Sequence, residues 1–217
     1  MPSRLALGLL AMAALAACST GVGPGASTPP LTASPTGGAA APTAGETSSA
    51  SIDHAFIDMM VPHHQSAAEM AQLAQERAEH TELRELADDI IEAQEAEIAQ
   101  MQAWRAEWFG SADTPPMEAM PLMPGMEMPD MGHDMGGSAT MDMTADIEAL
   151  RTAEPFDEAF LEKMTAHHRS AIEAAGIVLD QTGRPEISAL AEEIIESQQA
   201  EIDQMETWLA EWYPDGS

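Results

Sequence analysis

Apolar positions return at steps of three and four over two long stretches, the spacing that places side chains on one face of an α-helix. The first stretch carries Phe56, Met60, His63, Ala67, Met70 and Ala74; the second carries Leu83, Leu86, Ile90, Gln94, Ile98, Met101 and Trp108. Between them "QERAEHTE" is polar and reads as a connection near His80. The strict alternation and β-branched enrichment of strands are absent. The pattern then repeats. "DHAFIDMMVPHHQSAAEMA" from Asp53 aligns with "DEAFLEKMTAHHRSAIEAA" from Asp157, and "LADDIIEAQEAEIAQMQAWRAEWF" from Leu86 aligns with "LAEEIIESQQAEIDQMETWLAEWY" from Leu190, without a gap. In the second copy the break is "DQTGRPE", with Gly183 and Pro185 as helix punctuation. Two helical hairpins, each with one apolar face, predict an all-α four-helix bundle in which those faces are buried against each other.

The segments outside the repeats divide the rest of the chain. Residues 1–18 combine Arg4, a short apolar run and Leu15-Ala16-Ala17-Cys18, the layout of a secretory signal ending in a lipidated cysteine. Residues 19–50 are Gly, Pro, Ser, Thr and Ala with few large apolar side chains, and so predict a flexible tether. Hairpin repeats are expected over 51–110 and 147–217, joined by a Met- and His-rich connector over 111–146, with 51–217 forming one bundle domain. Cys18 is the only cysteine, which removes disulfides and thiolate metal sites from consideration. Against 37 Asp and Glu stand only 8 Lys and Arg, a balance that argues against nucleic acid or an anionic lipid surface as partner. The expected location is therefore outside the cytoplasm, on the outer face of the cytoplasmic membrane or in the periplasm, with the membrane reached through the N-terminal lipid alone.

Candidate chemistry lies in histidines and methionines. With the first hairpin turning near His80, Met60 is level with Met101, and His63 and His64 are level with Gln94 to Ile98. In the second, Met164 is near Met205, and His167 and His168 are near Gln198 to Ile202. His63 and His167 share the core stripe, whereas His64 and His168 point about 100° away. Gln94, Glu97, Met101, Gln198, Glu201 and Met205 are then candidate supporting groups. A buried histidine can equally be a hydrogen-bonded core residue, and a methionine on that face can be filler. The connector adds Met117, Met120, Met123, Met126, Met128, Met131, His133, Met135, Met141 and Met143 among prolines, glycines and acids. Closely spaced thioethers suit Cu(I) and Ag(I) and resist oxidation better than thiols. The alternative is a hydrophobic strap packed over the bundle. No Glu-x-x-His, His-Glu-x-x-His or Cys-x-x-Cys-His stands in the chain, so neither a di-iron centre nor a haem is indicated.

The Phe-x-x-x-Met-x-x-His-His phrase and its second copy resemble an exported bacterial family known as domain of unknown function 305. That resemblance covers Asp53 to Tyr213 and implies a ferritin-like four-helix bundle that binds copper or silver through His and Met. Carried over residue by residue, it implies Met60, His63, His64 and Met70 as ligands in the first copy, and Met164, His167 and His168 in the second, where Ala174 replaces the family's later methionine. The expectation is a copper-binding and buffering protein, not an enzyme, with Cu(I) favoured over Ag(I) and Cu(II), serving tolerance or delivery to a copper-accepting partner. A non-metal helical docking module and a metal-dependent ferritin-like oxidase are the alternatives.

Overall fold

The computed structural model describes residues 44–126, 140–141 and 143–214, with side chains from residue 50 onward and only the backbone of 140–141. Five α-helices are present among the described residues: α1 (Ala44–Arg77), α2 (Thr81–Phe109), α3 (Thr144–Thr152), α4 (Phe156–Leu179) and α5 (Pro185–Trp212). The hairpins α1–α2 and α4–α5 lie where the periodicity puts them. The first turns at residues 78–80. The second turns between Leu179 and Pro185, with Pro185 in the first turn of α5, where its missing N–H costs nothing. Gly110 ends α2 with φ of 87°, its N–H bonding back to Ala106 O, a left-handed cap that suits glycine.

Three features differ from the sequence reading. α1 begins at Ala44, inside the stretch read as tether. The short helix α3 spans the expected border between connector and second hairpin, because Ile147 and Leu150, three apart, both find burial against the bundle. The described connector is also folded against the bundle. Met117–Ala119 form a 3₁₀ turn, and Met120–Pro121 (β1) pair antiparallel with Thr140–Met141 (β2).

The core is two apolar clusters with a polar layer between them. One cluster takes Phe56, Ile57 and Met60 from the first half of α1 and Met101 from the end of α2. It adds Ala171, Ala175 and Val178 from the end of α4, and Ile187, Leu190 and Ile194 from the start of α5. The other exchanges the roles: Ala67, Met70 and Ala74 with Leu83, Ala87 and Ile90, against Phe156, Phe160 and Met164 with Ile202 and Met205. Each cluster therefore draws on both repeats. Phe56 and Phe160 are fully buried and equivalent by repeat, one in each cluster; burial of each contributes about 1.5–3 kcal/mol.

The ends of the repeats clasp each other. Asp157, at the start of α4, is buried and accepts the backbone N–H groups of Glu79 and His80 at 3.0 and 2.9 Å, in the turn of the other hairpin. The same carboxylate lies 2.7 Å from His80 Nδ1, and the His80 ring stacks on Trp212 at 3.7 Å. Its repeat equivalent Asp53 accepts from Thr182 Oγ1 at 2.5 Å and faces Arg184 Nε at 3.2 Å, while the Arg184 guanidinium lies over Trp108 at 4.1 Å. The aromatic pairs Trp104–Trp108 and Trp208–Trp212, equivalent by repeat, are stacked at 5.3 and 5.1 Å.

Candidate metal centre

In α1 the histidines fall between Val61 of one cluster and Ala67 of the other; in α4 they fall between Met164 and Ala171. The layer they form is buried: His63, His64, Ser66 and Gln94 from the first repeat, His167, His168 and Gln198 from the second. Adjacent positions on a helix point about 100° apart, so each pair sends one ring across the repeat interface and one along its own hairpin. His63 and His167 are the inward pair, with ring centroids 3.8 Å apart and planes tilted by 42°. His64 Nε2 lies 2.6 Å from Glu97 Oε2 of α2, at the depth that a turn near His80 requires. His168 Nε2 lies 2.7 Å from Glu201 Oε2, but that contact is not aligned as a hydrogen bond.

The inward rings are held by crossed serines. His63 Nε2 is 2.8 Å from Ser170 Oγ, and His167 Nε2 is 2.7 Å from Ser66 Oγ. Each serine also donates to the carbonyl three residues before it, Ser66 to His63 O and Ser170 to His167 O, both at 2.7 Å. The sequence reading did not single out these serines. Their signal was the Ser-Ala that follows both His-His pairs in register. Burial first, and then the charges of the neighbouring imidazoles, hold both His63 and His167 well below the usual histidine range. Both rings are therefore neutral near pH 7, the form in which imidazole donates a lone pair.

Ring nitrogens remain over. Nδ1 of His63, His64, His167 and His168 is buried with no hydrogen-bond partner, as is Oε1 of Gln94 and Gln198. Buried polar atoms are almost always satisfied, so a layer carrying this many orphan acceptors is unusual for a purely structural core. Thioethers flank it: Met60 and Met101 in one cluster, Met70, Met164 and Met205 in the other, all fully buried. Among the described residues no group of three or more His, Cys, Asp or Glu side chains is gathered to hold an ion. The available donors are imidazoles in pairs with thioethers, which fits a soft ion of low coordination number better than a hard octahedral one.

The connector methionines are partly absorbed into the core. Met120, Met123 and Met143 are buried in the first cluster, and Met117 and Met126 pack half-buried against it. The expected loose thioether trap is thus a packed strap over its described length. The strap covers the cluster that contains Ala174, the position where the second repeat lacks a methionine. Met128, Met131, His133, Met135 and Cys18 lie outside the described residues. His54 and His80, which have no histidine at the equivalent positions of the second repeat, have structural partners: His54 stacks on Phe109 at 4.3 Å, and His80 belongs to the Asp157 clasp.

Residues 53–209 match the profile of a family described as a domain of unknown function, DUF305. The Cu(I)-bound form of CopM is 38% identical, over 74% of this chain and 97% of that one, with a TM-score of 0.57. CopM has also been solved with Cu(II) and with Ag; the Ag-soaked form has a TM-score of 0.59 and 38% identity over 74% of this chain and 96% of that one. A DUF305 protein from Streptomyces coelicolor, described as a candidate secreted protein, is 31% identical over 75% of this chain and 94% of its own, with a TM-score of 0.59. No curated protein matches the chain significantly.

Proposed function

The chain belongs to the DUF305 family, and on that premise we propose that it binds and buffers copper outside the cytoplasm through imidazole and thioether donors. The observation that carries this reading is the buried histidine layer, in which four imidazoles each keep an unpartnered ring nitrogen between two methionine-bearing clusters. His63 and His167 enter as neutral donors, and Met60, Met70 and Met164 are fully buried thioethers on the same helices. Glu97 and Glu201 back His64 and His168, the arrangement by which outer carboxylates orient metal-binding imidazoles. Imidazole with thioether favours Cu(I), with Ag(I) as its closest mimic. Capture of copper by CopM in both oxidation states supports the same cargo here.

In this reading the connector is a second donor set. Met120 and Met123 add buried thioethers to the cluster on one side of the layer, and Met117, Met126, Met128, Met131, His133 and Met135 would extend the supply. The acidic surface, with a formal net charge of −29, raises the local concentration of cations that reach the layer. Export and lipidation at Cys18 would hold the protein where copper arrives, and passage of the ion to an accepting protein would follow. Among the described residues no helix is long and apolar enough to cross a membrane.

The test is an anaerobic Cu(I) titration against a competing chelator, with the full chain, the H63Q/H167Q variant and the M123L/M126L/M128L variant. Tight binding that falls in both variants is expected. Unchanged affinity and stoichiometry in the histidine variant would remove the layer from the reading, and in the methionine variant would remove the connector. Mass measurement of the membrane-extracted chain tests the anchor: a mature N-terminus other than lipidated Cys18 overturns it.

A further inference from the structure

A neutral imidazole carries one proton on one of two nitrogens, and the hydrogen bonds of the layer fix which. Ser66 Oγ lies 2.7 Å from His63 O, a distance two oxygens keep only with a hydrogen between them. The carbonyl has none, so the single hydroxyl proton of Ser66 is committed there. Toward His167 Nε2, 2.7 Å away, Ser66 Oγ can then offer only a lone pair, and Nε2 must supply the hydrogen. Ser170 repeats the logic: its proton goes to His167 O, and it accepts from His63 Nε2 at 2.8 Å. On the flank, the Glu97 carboxylate accepts from His64 Nε2. Each proton placed on Nε2 leaves Nδ1 bare, and Nδ1 is the atom without a partner in every one of these rings.

Resting on the copper reading above, we propose that Ser66 and Ser170 are positioning residues that lock His63 and His167 as Nε2–H tautomers, so that a soft monovalent cation is coordinated at Nδ1. The locks are crossed between repeats. Ser66 of the first repeat sets the donor atom of the second, and Ser170 of the second sets that of the first. Metal-binding imidazoles commonly donate their other N–H to a protein acceptor, which fixes ring orientation and raises donor strength. A serine hydroxyl already spent on a carbonyl supplies such an acceptor without adding negative charge to a buried site. The two inward rings thereby differ from His64 and His168, whose partners are carboxylates.

The experiment uses the full chain with ¹⁵N-labelled histidine and Ag(I) as probe, read by long-range ¹H–¹⁵N correlation, which distinguishes protonated from bare ring nitrogens. In the metal-free protein, His63 and His167 are expected with Nε2 protonated and Nδ1 bare. On addition of Ag(I), Nδ1 should shift while Nε2 keeps its proton. The S66A variant should relax the tautomer of His167 but not of His63, and S170A the reverse. Each should weaken Ag(I) binding about ten-fold or more. S66T, which restores a hydroxyl on the same atom, should recover both the tautomer and the affinity; a denaturation curve for each variant confirms that it folds. Movement of Nε2 in place of Nδ1 on metal addition overturns the proposal, as does S66A with the parent tautomer and affinity. No change at either nitrogen of any layer histidine under saturating Ag(I) overturns the copper reading of the layer itself.

Discussion

Acid should unfold the metal-free protein through two side chains more than through its many carboxylates. His63 and His167 sit folded with proton affinities well below the ordinary value, because burial and neighbouring imidazoles disfavour the charged form. In the unfolded chain they return to about 6.5. Between that value and the lower folded one, the unfolded state binds more protons, so stability is full above about pH 6.5 and falls as pH drops below it. An unfolded histidine is already half protonated at about pH 6.5, so each removes about 1 kcal/mol between pH 6.5 and 5.5, and the pair about 2 kcal/mol. With a urea slope of roughly 2 kcal/mol/M, that loss lowers the midpoint by about 1 M. The assay is urea unfolding after chelation, at half-unit pH steps from 7.5 to 5.5, on the parent chain and on H63Q/H167Q. Protonation of exposed carboxylates relieves self-repulsion in both and cancels in the difference. The parent should lose stability more steeply than the variant by about 2 kcal/mol over that unit. Parallel curves would show that the inward histidines do not carry the acid response.

Other changes separate packing from ligation. Asp157→Ala should cost about 2–4 kcal/mol by orphaning the Glu79 and His80 N–H groups, lowering Tm by roughly 5–12 °C; a fall of under about 2 °C in thermal unfolding would refute the clasp. The M120L/M123L variant should stay within about 1.5 kcal/mol of the parent, whereas M120A/M123A should lose about 2–5 kcal/mol per site. If M120L/M123L also binds as many Cu(I) ions as the parent, those two thioethers serve packing alone. Glu97→Gln should weaken Cu(I) binding by about 10–100-fold in competition titrations, and more than Glu201→Gln, whose oxygen is not aligned with His168; equal effects would contradict the difference between repeats.

Much of this arrangement was legible because it is local or repeated. A turn near His80 puts Glu97 level with His64 by helix geometry alone, and the 2.6 Å contact lies there. The 100° step between adjacent residues likewise separated an inward from a flanking histidine in each repeat. What could not be read is whatever depends on how the hairpins meet. No hairpin rule links His63 to Ser170, or Asp157 to the turn before His80, because those pairs exist only once α1 crosses α4. The two histidine pairs, one per repeat, consequently meet in one layer. The packing of the connector was missed for a related reason. Prolines and glycines correctly excluded a long helix, but the cluster that buries Met120 and Met123 is assembled from four distant helical segments.

The reciprocal pattern, in which His63 meets Ser170 while Ser66 meets His167, is that of a two-fold interface between identical partners. Here both partners lie on one chain. In a true homodimer every substitution is made twice and every insertion appears on both sides. Joining the halves lifts that obligation. Met70 can stand where the second repeat has Ala174, His80 where it has Arg184, and one connector can cover one cluster while α3 covers the other. Fusion thus allows two chemically unequal sides around a nearly symmetric set of imidazoles, something a symmetric pair of hairpins could never present.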